Sequence, residues 1–188
     1  MKDSSRTAVI ERRTRETDIN LSLQLDGEGI ADIETDEFFL EHMLITLSKY
    51  SGMDLHLSAE GDHPHHLIED VAITFGNAFR EALDKGGDTN RIADRIVPMD
   101  DALVLAAVDL IDRPYYKGEV PMPLFDHFLR SFAHEARICL HTRILDGHDE
   151  HHLTEATFKA VGMALREAMA PRGEGILSTK DRIRVKTG

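Results

Sequence analysis

The chain has 188 residues, of which 41% are hydrophobic and 30% are charged, and this balance excludes both a disordered chain and a fibrous one. Thirty-four acidic residues against 22 Lys and Arg give a net charge of −12, which disfavours binding to nucleic acid or to an anionic membrane. The longest apolar run, residues 102–108, is shorter than the roughly 20 residues that a membrane-spanning helix needs. The N-terminal sequence lacks the apolar stretch of a secretory signal and the single Cys139 cannot form an internal disulfide, so we expect a cytoplasmic protein.

The first half of the chain predicts two strands, a helix, a third strand and a second helix. Apolar residues alternate with polar ones over residues 19–25, and after a DGEG turn residues 30–35 are predicted to return as the second strand of a hairpin. Apolar residues repeat at helical spacing over residues 39–47, and the helix is predicted to end at a Ser-Gly pair. Residues 53–57 alternate as a strand, and residues 65–83 form a helix rich in Ala, Glu and Arg.

The second half repeats this order and part of the sequence. Its predicted elements are strands at residues 102–109 and 115–120, a helix at 125–135, a strand at 137–145 and a last helix that begins at the second His pair. The segment HHLIEDVAITFGNAFREAL (65–83) aligns without a gap on HHLTEATFKAVGMALREAM (151–169). We therefore predict an internally duplicated α+β fold of two homologous β-β-α-β-α half-domains. Residues 1–86 form the first, residues 87–176 the second, and residues 177–188 a basic tail, with the join near residues 86–90.

The 11 His residues follow the same duplication, because five lie in one group of the first half and six in one group of the second. The pairs at an offset of 85 or 86 residues are His42 with His127, His56 with His141, His63 with His148, His65 with His151, and His66 with His152. The positions of the His residues, more than their number, therefore indicate the internal duplication.

Each predicted long helix begins with an HHxxE motif, which suits metal binding. Successive helical residues are about 100° apart, so His65 and His66 point in different directions, with Glu69 at an angle between them. Adjacent His residues therefore suit two ions better than one, and the second copy of the motif has the same geometry. Two copies that face each other would give each ion one His from each helix, which predicts a two-metal site.

Two further His residues are candidates to complete the ligand shells. His141 lies on the polar-facing side of its strand, and His42 lies on the first helix. Imidazole and carboxylate without thiolate fit Mn, Fe or Zn, and four protein ligands per ion would favour six-coordinate Mn over Zn. A single HHxxE motif is more often the solvated start of a helix than a set of metal ligands. Two copies at matching positions of the repeat favour a metal site. The remaining residues, interpreted as surface or hydrogen-bonded His, are His63, His127, His134 and His148, and His56 is ambiguous.

Eight short motifs run through most of the chain. They are RRTRETDI (12–19), LDGEG (25–29), FLEHML (39–44), HHLIED (65–70), VPMDDAL (97–103), DLIDRP (109–114), HHLTEATFKA (151–160) and LSTKD (177–181). Together they resemble the imidazoleglycerol-phosphate dehydratase family, the hydro-lyases of histidine biosynthesis. The resemblance implies a fold like domain 2 of ribosomal protein S5. It also implies trimers that assemble into a hollow particle of twenty-four subunits, with manganese ions between subunits.

The resemblance also implies roles for individual residues. The metal ligands would be His42, His65, His66, Glu69, His141, His151, His152 and Glu155, which hold two Mn²⁺ ions per active site. The substrate phosphate would bind Arg91, Arg113, Ser178 and Lys180, since Arg and Lys are good phosphate donors. Glu16 would be the acid-base group, and Asp100 would help to orient the imidazole ring. Thr46 and Tyr50 depart from the family, which has a Gln and a His there that help to hold the phosphate.

The implied reaction removes water from imidazole glycerol phosphate and gives imidazole acetol phosphate. Metal ions on the ring nitrogens would stabilise negative charge on the ring, and Glu16 would transfer the proton, with no organic cofactor. Two alternatives start from the same residues. One is a two-metal hydrolase that acts on a small phosphorylated substrate, and the other is a structural cross-link or metal store without a substrate. The four phosphate-binding candidates argue against the last.

Overall fold

The computed structural model describes residues 6–173, 175 and 177, and it shows an α+β fold with two related halves. The first half contains β1 (Thr7–Arg13), β2 (Thr17–Gln24), β3 (Ala31–Thr35), α1 (Phe38–Ser51), β4 (Asp54–Gly61) and α2 (Pro64–Asp84). The second contains β5 (Ile92–Met99), β6 (Ala102–Asp109), β7 (Tyr115–Lys117), α3 (Pro123–Glu135), β8 (Cys139–Asp146) and α4 (Glu150–Met169). The predicted fold class and duplication are confirmed, with one strand more in each half than predicted. The predicted join at residues 86–90 falls between α2 and β5.

The two additional strands, β1 and β5, are edge strands that carry little hydrophobic alternation. β1 pairs antiparallel with β2 over its whole length, yet only one of its residues is buried. β5 pairs in the same way with β6 and contains Pro98, which an edge strand tolerates because its outer N–H groups need no ladder partner. Their apolar residues do not alternate regularly with polar ones, and this is why the apolar pattern did not predict them.

The predicted hairpin of the first half is wrong. The strand orders are β1-β2-β4-β3 and β5-β6-β8-β7, so β3 pairs in parallel with β4 and not with β2. β2 already has β1 on one edge and β4 on the other, and the free edge of β4 is the remaining place for β3. β7 pairs in parallel with β8 in the same way.

The four helices lie between the two sheets and join the halves into one hydrophobic core. α1 packs against α4, and α2 packs against α3, so each helix pair contains one helix from each half. Glycines recurring at equivalent positions permit both contacts. A Cβ on Gly76 would lie 2.8 Å from the Phe132 carbonyl oxygen, and one on Gly162 would lie 3.0 Å from that of Leu47. No helix in the described part of the chain is long and apolar enough to cross a bilayer.

The molecule has two distinct ends along its strands. We call the "turn end" the one where the β1–β2 and β5–β6 turns meet the N-termini of α2 and α4. There, the Asp62 N–H donates to the Glu16 carbonyl, and the Asp101 carboxylate accepts the His148 N–H. At the opposite end, the starts of β1 and β5 lie beside the C-terminal ends of α2 and α4. There, the Lys85 ammonium donates to the Thr7 carbonyl, and the Arg91 N–H donates to the Ala168 carbonyl.

Candidate metal centre and active site

The first cluster of metal-ligand candidates joins α1 to α4 and consists of His42, His151 and Glu155 (the α1–α4 cluster). The Glu155 Oε2 atom lies 3.1 Å from His42 Nε2 and 3.2 Å from His151 Nε2. The two imidazole rings stack at 5.9 Å between centroids. Burial, the largest single effect, raises the pKa of Glu155, but hydrogen bonds from Lys159 and His42 outweigh it and lower the pKa. The carboxylate is therefore ionised, as a metal ligand must be.

The second cluster is the counterpart of the first and joins α2 to α3 through His65, Glu69 and His127 (the α2–α3 cluster). Glu69 oxygens lie 3.7 Å from His65 Nε2 and 3.2 Å from His127 Nε2, and the two rings are 5.4 Å apart. The buried His127 Nε2 is not aligned with Glu69 for a hydrogen bond and has no other hydrogen-bond partner among the described residues. An orphaned imidazole nitrogen beside a carboxylate fits a divalent cation.

Within one chain, each HHxxE helix packs against the first helix of the other half, so an ion that takes one His from each HHxxE helix would have to lie between copies of the chain. His127 was interpreted from the sequence as a surface or hydrogen-bonded residue. In the structure it belongs to the α2–α3 cluster, at the position that His42 has in the α1–α4 cluster. The signal was present in the sequence, because His127 is the repeat counterpart of His42.

His141 does not lie with either cluster of this chain, so the structure does not bring it together with the other predicted ligands. It lies on β8, on the sheet face that points away from the helices, with its ring 5.3 Å from that of Tyr115. The neighbouring Leu140 faces the core. His56, its repeat counterpart, is exposed and lies 3.7 Å from Asp32. The sequence correctly placed His141 on the polar side of its strand, but this side forms the face of the sheet that points away from the helices.

His66, at the turn end, lies beside the predicted acid-base residue. Its Nδ1 is 2.8 Å from an Asp62 oxygen and 3.9 Å from Oε2 of Glu16. The Asp62 hydrogen bond is the main reason why the pKa of His66 is raised, and the Glu16 charge adds to it. An Nδ1 held by a carboxylate leaves Nε2 available as a ligand.

His152 has the corresponding environment in the second half. Its Nδ1 is 2.7 Å from Asp101 Oδ1, and its Nε2 is 3.6 Å from Asp100 Oδ2. The hydrogen bond that the His152 ring donates to Asp101 raises the pKa of His152. Asp101 also accepts the N–H groups of His148 and Asp149, and these backbone and side-chain bonds hold its pKa far below the ordinary value. Asp100 itself is exposed and has a positive φ of 47° in the β5–β6 turn.

Two of the four phosphate-binding candidates, Arg91 and Arg113, lie at the opposite end of the molecule. Arg91 donates from Nε and Nη2 to Asp109, at 2.6 and 2.9 Å, and from Nη1 to the Leu177 carbonyl at 2.6 Å. The Asp109 bonds raise its pKa. Arg113 is exposed near Cys139 and makes no side-chain hydrogen bond or ion pair with the described residues. Ser178 and Lys180 lie outside the described residues.

The two positions that depart from the family pattern lie on α1. Thr46 is buried at 6% exposure, and the half-exposed Tyr50 places its ring 5.7 Å from the Lys159 ammonium. Lys159 is also 2.9 Å from Glu155 Oε1. The departures thus lie on the helix that carries His42 and, through Lys159, next to the α1–α4 cluster.

Comparison with known proteins shows which family this chain is similar to. The family model of imidazoleglycerol-phosphate dehydratase matches residues 35–165. The imidazoleglycerol-phosphate dehydratase of Dehalococcoides mccartyi is 47% identical over 190 residues, which cover 94% of this chain and 97% of the relative. That of Desulfitobacterium hafniense is 43% identical over 192 residues, covering 93% and 97%. The crystal structure of IGPD from Pyrococcus furiosus superimposes on this chain with a TM-score of 0.83 at 37% sequence identity. The match covers 93% of this chain and 100% of that one.

The fold and the paired His and Glu clusters define a duplicated α+β protein with a candidate metal-dependent active site. Sequence identity and coverage then identify the family. This chain belongs to the imidazoleglycerol-phosphate dehydratase family, as the resemblance predicted. The family does not favour the hydrolase alternative.

Proposed function

We propose that this chain is a hydro-lyase that dehydrates imidazole glycerol phosphate to imidazole acetol phosphate in histidine biosynthesis, in the cytoplasm. Besides family membership, one observation supports this most strongly. Two equivalent His-His-Glu clusters lie at the same end of the molecule as a carboxylate, Glu16, whose side chain is exposed. Paired metal sites next to an available acid-base group fit a reaction on a metal-binding imidazole ring.

Two divalent ions would be held by the α1–α4 and α2–α3 clusters, each with three protein ligands from one chain. Mixed imidazole and carboxylate donors without thiolate suit manganese. When bound, such ions supply Lewis acidity that stabilises negative charge on the substrate ring. His66 and His152 present a free Nε2 away from their own clusters, so we assign each as a ligand to an ion held by another copy of the chain.

Glu16 is assigned the proton transfers. The hydroxyl on the carbon attached to the ring leaves as hydroxide, and the Glu16 carboxylate accepts the proton from the adjacent carbon, so an enol is formed. Glu16 then returns this proton to the enol carbon next to the ring, and the enol O–H proton passes to the hydroxide, which gives the ketone and water. Asp100, whose Oδ2 lies 3.6 Å from His152 Nε2, is assigned to orienting the substrate ring.

The position of Arg91 supports a site shared between copies. Arg91 and Asp100 are at opposite ends of β5, about 27 Å apart for eight residues of strand. Along α4, the residue that accepts the Arg91 N–H is about 25 Å from His151. The substrate has only three carbons between its ring and its phosphate, so one chain cannot bind both groups of one molecule. This supports self-association, which we propose follows the family pattern of trimers in a twenty-four-subunit particle.

In this arrangement Arg113 contacts the phosphate directly, because its guanidinium group is free among the described residues. Arg91 is engaged by Asp109 and by the Leu177 carbonyl, directly before Ser178 in sequence. We therefore assign Arg91 to holding the segment that leads to Ser178 and Lys180, which supply the remaining phosphate contacts. Arg6, at the equivalent position of the first half, is bound to Asp26 and to the Met169 carbonyl in the same manner.

Product analysis tests the proposed reaction. The manganese-loaded protein is incubated with imidazole glycerol phosphate, and the keto product and free phosphate are both measured. We expect the keto product without phosphate release, and neither product after chelation. Release of inorganic phosphate would instead indicate the two-metal hydrolase.

A further inference from the structure

The turn that carries Glu16 is bound to a buried carboxylate on the adjacent helix. Asp70 follows Glu69 on α2, and its Oδ2 accepts a hydrogen bond of 2.5 Å from the Thr17 hydroxyl. Its Oδ1 accepts one of 2.8 Å from Arg12 Nη2. Thr17 and Asp70 are 4% and 9% exposed. Burying a carboxylate is costly unless it is hydrogen-bonded, so both of its partners matter.

The hydrogen bonds continue from Asp70 to the backbone of Glu16. The Thr17 hydroxyl donates its hydrogen bond to Asp70. Its oxygen therefore accepts a hydrogen bond from the Thr14 hydroxyl, 3.1 Å away. The Thr14 oxygen in turn accepts the N–H groups of Glu16 and Thr17, each at 3.0 Å. An ionised carboxylate only accepts, so Asp70 fixes the direction of the whole chain. α2 thereby carries both a ligand of the α2–α3 cluster and the anchor of the Glu16 turn.

The second half forms the equivalent turn without an equivalent of the Arg12, Thr17 and Asp70 anchor. At the offsets of the repeat, the residues equivalent to Arg12, Thr17 and Asp70 are Val97, Ala102 and Ala156. Ala102 and Ala156 pack in a small apolar cluster with Val104 and Leu153. The β5–β6 turn, with the same pairing of its flanking strands, thus has apolar side chains at these three positions and is bound to the start of α4 through its own carboxylate, Asp101. Among the described residues, hydrogen bonds from the turn to a buried carboxylate of the following helix are found in the half whose turn carries Glu16.

We propose that Asp70 is a positioning residue which, through Thr17 and Thr14 and together with Arg12, holds the Glu16 carboxylate at a fixed distance from His66 and the α2–α3 cluster. This inference rests on the proposed function. A hydrogen-bonded anchor fixes direction as well as distance, which apolar packing does less well. Proton transfer depends on such alignment, whereas substrate affinity depends on the phosphate and ring contacts made elsewhere.

Two variants and one control test the inference on the manganese-loaded assembly. Asp70→Asn weakens the anchor with little change of shape. The triple variant Arg12→Val with Thr17→Ala and Asp70→Ala installs the residues of the second half and keeps the turn packed. We expect kcat to fall about 10- to 100-fold in both, with KM and metal content unchanged, because misplacement by about 1 Å can cost 100-fold. The control Thr74→Ala removes a buried hydroxyl of α2 that bonds only to the Asp70 carbonyl, and should leave kcat unchanged.

Two further measurements separate positioning from a general loss of stability. Combined with Glu16→Gln, the Asp70→Asn change should cause no additional loss of kcat, because it acts through the carboxylate already removed. Hydrogen exchange at the Glu16 and Thr17 amides should become faster in Asp70→Asn and not in Thr74→Ala.

Different outcomes contradict the inference and the proposed function. Unchanged kcat in both anchor variants, or an equal loss from Asp70→Asn with and without Glu16→Gln, would overturn the positioning role. Unchanged amide exchange in the turn would overturn it too, and that measurement needs no activity. Absence of dehydration by the unaltered protein would instead overturn the proposed function.

Discussion

Glu16 and Asp101 occupy equivalent positions in the two halves, at an offset of 85 residues, yet their surroundings differ. The Asp101 carboxylate accepts two backbone N–H groups and the ring Nδ1 of His152. The Glu16 carboxylate has a single imidazole contact, at 3.9 Å. Duplication of the fold thus provides two equally placed carboxylates beside two His pairs. Local hydrogen bonding decides that one of them orients a His and the other remains available for proton transfer.

The largest expected effect comes from Glu16→Gln. The amide keeps the shape of the side chain but cannot accept a proton, so kcat should fall by about 10²- to 10⁴-fold. Metal content and particle size should stay unchanged, as measured by elemental analysis and sedimentation. Activity within a few-fold of the unaltered protein would assign the proton transfer to another group and would make the two carboxylates equivalent.

The metal clusters give the next comparison, between His127 and His141. We expect His127→Ala to lose one of the two ions, because the α2–α3 cluster keeps only His65 and Glu69, and His141→Ala to retain both. Metal analysis after dialysis distinguishes them. Loss of an ion in His141→Ala alone would restore the ligand set predicted from the sequence.

A smaller effect is expected for Asp101→Asn, the counterpart of the Glu16 substitution. Removing the carboxylate that holds a ligating His typically weakens metal binding by about 10- to 100-fold. Competition with a chelator should therefore show weaker manganese binding in Asp101→Asn than in Glu16→Gln. Equal affinities would indicate that Asp101 does not orient His152 for a metal ion.

The smallest effect concerns the contact between the halves, where Arg6 bridges Asp26 and the end of α4. The hydrogen bond from Arg6 lowers the pKa of Asp26 from its ordinary 3.8, so this stabilisation is present above that pH and is lost as the pH falls below it. Because Asp26 is half exposed, Asp26→Asn should lower the free energy of unfolding by only about 1 kcal/mol at neutral pH. Denaturant titrations should show the two proteins converging below pH 3.8, and a constant difference would contradict this account.

The duplication was readable from the sequence because His65 and His66 recur with their whole helix. β1 and β5 were not predicted, because their apolar residues do not alternate regularly with polar ones. The partner of β3 was not predictable either, since it depends on which strand edge remains free after the sheet forms. His127 could have been predicted as a ligand candidate, because it is the repeat counterpart of the candidate His42. The Asp70 anchor joins residues 53 positions apart, and no local pattern reports such a contact.

The most direct test of the account is whether the active site is shared between copies of the chain. Glu16→Gln and Arg113→Ala chains, each expected to be poorly active alone, are mixed after metal removal and reassembled with manganese. If Glu16 and Arg113 serve one substrate molecule from different chains, some mixed sites contain both intact residues, and dehydration should rise well above the sum of the separate proteins. A mixture that reassembles fully, as shown by sedimentation, but whose activity equals that sum would contradict the shared site.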